Sequence, residues 1–90
     1  MMYPFLTLND DTEIVHSELK GDGSVKVYIE TPDEMAGFLS AECWLPAYKW
    51  ENVSGYSKEQ MEYFEKLLKA NAHLIMEFAA EGGFEHASNF

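Results

Sequence analysis

An α+β fold, an antiparallel meander of four or five strands followed by one long C-terminal helix, is what this 90-residue chain predicts. Three observations carry the prediction. In VKVYIET (25–31) and FLSAECWL (38–45) apolar side chains recur at every second position, the period of a strand with one buried face. The turn sequences NDD and KGDGS separate short apolar runs. From residue 58 the period lengthens to that of a helix and holds to residue 81. With no repeat, linker or low-complexity tract, residues 1–90 form one domain: strands over about 3–53, helix over about 58–81 and a short tail, 82–90.

YPFLTL (3–8) is the first strand, its Pro4 suited to an edge or a strand start. TEIVHSEL (12–19) is the second. KGDGS (20–24) is a hairpin turn, because its glycines supply positive φ. In the third strand Val25, Val27 and Ile29 share one face and Lys26, Tyr28 and Glu30 the other. In the fourth, Leu39, Ala41, Cys43 and Leu45 oppose Phe38, Ser40, Glu42 and Trp44, and Pro46 stops the run. AYKWENV (47–53) supplies a fifth short strand.

Ser57 is a helix N-cap with Gln60 placed to complete a capping box, and Tyr56 and Met61 sit at the positions of a hydrophobic staple. Gly82 and Gly83 end the helix. At about 100° per residue, Met61, Phe64, Leu67, Leu68, Ala72, Leu74, Ile75, Phe78 and Ala79 fall on one broad arc, wide enough to lie across a sheet. Glu62–Lys66 and Glu65–Lys69 are spaced as i,i+4 pairs on the opposite side. Asn71 falls near the centre of the apolar arc. Buried without partners its amide would cost about 1–3 kcal/mol, so it is expected to bond, either to backbone in KWENVSGY or at a strand end, or across a helix–helix dimer. His73 is expected to be solvated.

Sixteen carboxylates face six lysines, with no arginine, for a formal charge of −10. Nucleic-acid binding leans on a basic footprint and on the arginine fork, so neither nucleic acid nor an anionic membrane is an expected partner. No apolar run approaches the roughly 18 residues of a membrane span, and MMYPFLTLNDD lacks the basic start of a signal peptide. A single cysteine, Cys43, forms no internal disulfide and fits a reducing compartment, so a cytoplasmic location is expected.

Catalytic motifs are missing. Three scattered histidines and one cysteine lack zinc-ligand spacing. NDDTE (9–13) concentrates three carboxylates but lacks the glycine and distal glutamate of an EF-hand. GDGS has no following Lys-Ser to cradle phosphate. Neither a metal, a cofactor nor a catalytic residue is predicted, and Cys43 reads as a small core residue.

One helix covers one side of a sheet. Alternation then sends Tyr3, Phe5, Ile14, His16, Glu18, Tyr28, Glu30, Phe38, Glu42 and Trp44 to the other side. Such a mixture of rings and carboxylates is expected to meet something, because large exposed apolar patches mark contacts. Three occupants stand open: the chain's own AYKW segment or its tail with Phe84 and Phe90, a second copy, or a different partner.

The stretches YPFLTLNDDTEIVHSE, CWLPAYKW and NAHLIMEFAAEGGF resemble a family of small acidic bacterial proteins with no assigned activity, over nearly the whole chain. The resemblance implies a bacterial, cytoplasmic protein. The order of strands then helix is also similar to that of HicB-type antitoxins, from which the long second and third strands and the long helix depart. The expected function is an acidic protein-interaction module, antitoxin-like or inhibitory toward a basic partner. Its surface would comprise Tyr28, Phe38 and Trp44 with Tyr3, Phe5 and His16. The alternatives are a small-molecule-binding protein or enzyme with a pocket between helix and sheet near Asn71 and Trp50, and a structural homodimer.

Overall fold

Five strands in the order of the chain form one antiparallel sheet, β1 (Met2–Thr7), β2 (Glu13–Ser17), β3 (Val25–Asp33), β4 (Gly37–Leu45) and β5 (Lys49–Ser54), followed by the helix α1 (Lys58–Ala80). The structure is a computed structural model and describes residues 2–82. Neighbouring strands pair throughout, so the sheet is the expected meander, and the fifth strand forms. Gly83, Phe84 and Phe90, to which helix termination and tail cover were assigned, lie outside the described residues.

Cross-strand partners share a face of the sheet. Val25 pairs with Leu45, Val27 with Cys43 and Ile29 with Ala41, and all six are fully buried under α1. Their helical counterparts are Phe64, Leu68, Ile75 and Ala79. Burying an aliphatic or aromatic side chain of this size contributes about 1.5–3 kcal/mol, which makes this single layer contact the main source of stability. Leu74, placed on the apolar arc by helical phase, is instead exposed, because the contact stripe runs along Phe64, Leu68 and Ile75 and leaves it at the margin.

Both ends of α1 are fixed by named bonds. The backbone N–H of Ser57 donates to Gln60 Oε1 at 2.8 Å and that of Gln60 to Ser57 Oγ at 3.1 Å, closing the capping box. Tyr56 packs edge-on against Phe64, ring centroids 4.9 Å apart. At the other end Gly82 takes φ +88° and its N–H donates to Ala79 O at 3.3 Å. The N–H of Leu19 donates to the same carbonyl at 3.1 Å, tying the chain just after β2 to the helix terminus. Terminal carbonyls have no partner within a helix, so this bond satisfies one of them.

Asn71 departs from expectation. Its Nδ2 donates to Leu67 O at 2.9 Å, one turn back on its own helix, not to the β5 region or a strand end. The side chain is half-buried, and a short amide reaches the i−4 carbonyl without leaving its helix.

A chain of three hydroxyls crosses the layers near the start of α1. Thr12 Oγ1 lies 2.6 Å from Thr31 Oγ1, which lies 2.7 Å from the Tyr56 hydroxyl. Thr12 and Thr31 are buried, and these bonds, with one from the Thr12 side chain to Asp10, satisfy their hydroxyls.

Candidate functional site

The side of the sheet away from α1 divides into two halves with different electrostatics. On the β3–β4–β5 half Lys26, Glu42 and Glu51 each have a partner. Lys26 Nζ lies 3.2 Å from Glu42 Oε2 and 5.7 Å from the centre of the Trp44 ring. Asn52 Nδ2 donates to Glu42 Oε1 at 2.8 Å, and the Trp44 indole N–H donates to Glu51 Oε1 at 2.6 Å. The Asn52 amide, with Lys26 beside it, holds the Glu42 carboxyl below its ordinary value. Tyr28 pairs with Glu42 across β3–β4 and, like Trp44, is half-buried by these neighbours.

The β2–β3 half is different. Glu13 stands directly opposite Glu30. With Thr7, Asp11, Pro32 and Phe38 they line a recess of about 280 Å³. Asp11 enters it from the β1–β2 turn, in the left-handed region at φ +65°, a conformation that Asp tolerates better than most residues. Among the described residues none of these three carboxylates forms an ion pair. Like charges opposite each other in a sheet are destabilising. By contrast Asp10, one residue before Asp11, accepts from the Thr12 N–H at 3.2 Å, and bonding to Thr12 keeps its carboxyl below the usual range. Phe38 forms one wall of the recess and is 58% exposed.

Of the six residues assigned to the contact surface, the structure brings Tyr28, Phe38 and Trp44 to this side and puts Tyr3, Phe5 and His16 on the helix side. The register is the reason: Ile14 pairs with Ile29 and His16 with Val27, so Ile14 and His16 share the face of the buried β3 residues. Val15 and Leu19 made the opposite phase of β2 equally apolar in sequence. Tyr3 pairs with His16, their rings 5.8 Å apart. A register shift between Pro4 and Leu6 accompanies Phe5, whose ring lies 6.1 Å from that of Phe78. His16 is fully buried; its Nδ1 donates to Ser17 O at 2.8 Å, and Nε2 has no partner among the described residues.

The expected pocket near Asn71 and Trp50 does not take that form. Trp50 pairs with Cys43 on the helix side, and its indole N–H donates to Glu65 Oε1 at 3.2 Å. A shallow recess of about 250 Å³ beside it is lined by Lys58, Met61, Glu62 and Glu65, without Asn71. Among the described residues no three His, Cys, Asp or Glu side chains are grouped to hold a metal ion, and no helix is long and apolar enough to cross a membrane.

Reading the sequence missed the recess because its walls come from three separate segments, 7–13, 30–32 and 38. NDDTE pointed to one wall. The partner wall needed the β2–β3 register, which no local pattern encodes. Compared with protein-family models, with curated proteins and with solved structures, the chain matches none.

Proposed function

We propose that this protein is an acidic cytoplasmic interaction module that binds a basic protein partner through the outer side of its sheet. One observation carries the reading: Asp11, Glu13 and Glu30, unpaired among the described residues, surround a recess walled by exposed Phe38. Such an arrangement suits the aliphatic stem and charged head of a lysine or arginine side chain, which packs along apolar surface while its cation meets a carboxylate. The formal charge of −10 extends the attraction beyond contact range and raises the encounter rate. Regulation or inhibition of that partner, by covering its basic surface, is the role this chemistry fits.

The reading is tested by titrating the full chain with a lysine- and arginine-rich peptide, at low and at high ionic strength. Saturable binding is expected that weakens as salt rises, because screening shortens from about 10 Å at 0.1 M to 3 Å at 1 M. The triple substitution Asp11→Asn, Glu13→Gln and Glu30→Gln should weaken it by about tenfold or more. Binding unchanged by that substitution would reject the recess as the seat.

A further inference from the structure

The β3–β4 hairpin runs on past the rest of the sheet. The last pairing of β2 with β3 is Glu13 with Glu30, and the last of β5 with β4 is Ser54 with Ser40. Beyond them β3 and β4 continue through Thr31–Leu39, Pro32–Phe38 and Asp33–Gly37. Thr31 is still anchored, through Thr12 and Tyr56. The last two rungs and the turn therefore run on without a hydrogen-bonded strand on either side.

That tip is built to hold its shape. Asp33 Oδ2 accepts from the N–H of Met35 at 3.1 Å and of Ala36 at 2.9 Å, and Gly37 takes φ +84° to lead the chain back. The result is a braced turn that holds Met35 outward with 96% of its surface exposed, while Phe38, three residues on, is 58% exposed. With the turn already ordered, binding here costs little backbone freedom and mainly the rotamers of the side chains themselves. Methionine adapts readily to an apolar cleft.

We propose that this hairpin tip is a docking prong: Met35 and Phe38 enter an apolar cleft on a protein partner, and lysine or arginine at the rim of that cleft meets Asp11, Glu13 and Glu30. The proposal rests on the reading of the recess as a seat for cations, and extends it with an apolar anchor. Charge complementarity selects the occupant. A second copy would bring the same unpaired carboxylates, and two chains of −10 each, face to face. Anionic lipid headgroups would be repelled in the same way. A partner cleft that is apolar within and basic at its edge satisfies both halves of the surface.

The test uses the full chain labelled with nitrogen-15 and two synthetic helical peptides, one of lysine and leucine with the leucines on one face, the other of lysine and serine. The lysine–leucine peptide is expected to bind more tightly and to shift amides of residues 11–13 and 30–38. Met35→Ser with Phe38→Ser should weaken it by about tenfold or more, the scale of an interface anchor. Met35→Ser alone, outside the recess, should weaken the lysine–leucine peptide and leave the lysine–serine peptide unaffected, and Met35→Leu should retain binding of both. Both positions are exposed, and far-ultraviolet circular dichroism checks that each variant is folded. If the lysine–leucine peptide binds the double variant as tightly as the parent while the triple carboxylate substitution still weakens it, the prong is overturned and the cation seat stands. If neither peptide binds, both fall. A concentration-dependent dimer abolished by Met35→Ser with Phe38→Ser would also overturn the proposal, since a second copy would then be the occupant.

Discussion

Glu13 and Glu30 face each other across β2 and β3 with no cation in reach among the described residues. A favourable cross-strand charge pair contributes about 0.2–1 kcal/mol, and a like-charged pair costs instead. Glu30→Lys should therefore stabilise the fold by about 0.5–1 kcal/mol, read as a rise in the urea midpoint. In the same variant a lysine-rich peptide should bind more weakly. Stability and binding moving in opposite directions is the signature of a surface kept unsatisfied for a partner. A more stable variant with unchanged binding would separate the two and remove the recess from the interface.

The Thr12–Thr31–Tyr56 hydroxyl chain makes a second, structural prediction. Thr31→Val keeps the shape of the side chain but removes the central hydroxyl, breaking its bonds to both Thr12 and Tyr56 and leaving the buried Thr12 hydroxyl with Asp10. Each lost hydrogen bond costs about 0.5–1.5 kcal/mol, so losing two predicts about 2 kcal/mol in urea denaturation. Tyr56→Phe removes only the outer member and should cost about 1 kcal/mol. Equal losses would mean that the Thr12–Thr31 bond adds nothing beyond the bond Thr12 makes to Asp10.

Local pattern made most of the scaffold legible. The alternation of β3 and β4 and the Ser57–Gln60 box each contain their own signal and appear where they were expected, and the helix expected over 58–81 runs from Lys58 to Ala80. The phase of β2 was not legible in that way. Ile14 and His16 compete with Val15 and Leu19 for the core, and only pairing of Ile14 with Ile29 decides. His16 shows how far the structure overrides preference. A histidine is seldom fully buried, yet this one sits under Phe5 and Tyr3 with Nε2 unpartnered. Asn71 had a closer partner than sequence reading offered it, in Leu67 O. The recess was half legible, through Asp11 and Glu13 in NDDTE, while Glu30 reached them only through tertiary pairing.

Alkaline stability follows from Cys43. Burial, with the Glu65 carboxylate adding to it, pushes the thiol up from 9.0 to about 12. Between those values the unfolded chain releases the thiol proton and the folded chain keeps it, so the folded state binds more protons. Stability then falls as pH rises through that window, by about 1 kcal/mol per pH unit for one such group. Tyr56, raised above 10.0 chiefly by burial, adds loss of the same sign at the upper end. Urea midpoints measured from pH 8 to 11 should decline, with a shallower slope in Cys43→Ala. The parent thiol should also react with iodoacetamide only as fast as the protein opens. Rapid alkylation under native conditions would contradict this burial.

Two glycines with nearly the same backbone angle separate strain from crowding. Gly37 takes φ +84° and Gly55 φ +90°, where a side chain costs about 1–2 kcal/mol. A Cβ at Gly37 meets nothing within 4 Å, so Gly37→Ala should lose that amount and no more. At Gly55 a Cβ would run into Leu39 Cδ2, next to the rung that holds Thr31. Leu39 must turn aside or β5 must lift, and lifting would draw Tyr56 away from the Thr31 hydroxyl. Gly55→Ala is therefore expected to lose more than Gly37→Ala in urea denaturation. Combined with Tyr56→Phe, its loss should be less than additive, because the two changes then break the same hydrogen bond. Strict additivity would show that Leu39 absorbs the clash by itself and that β5 and Tyr56 stay in place.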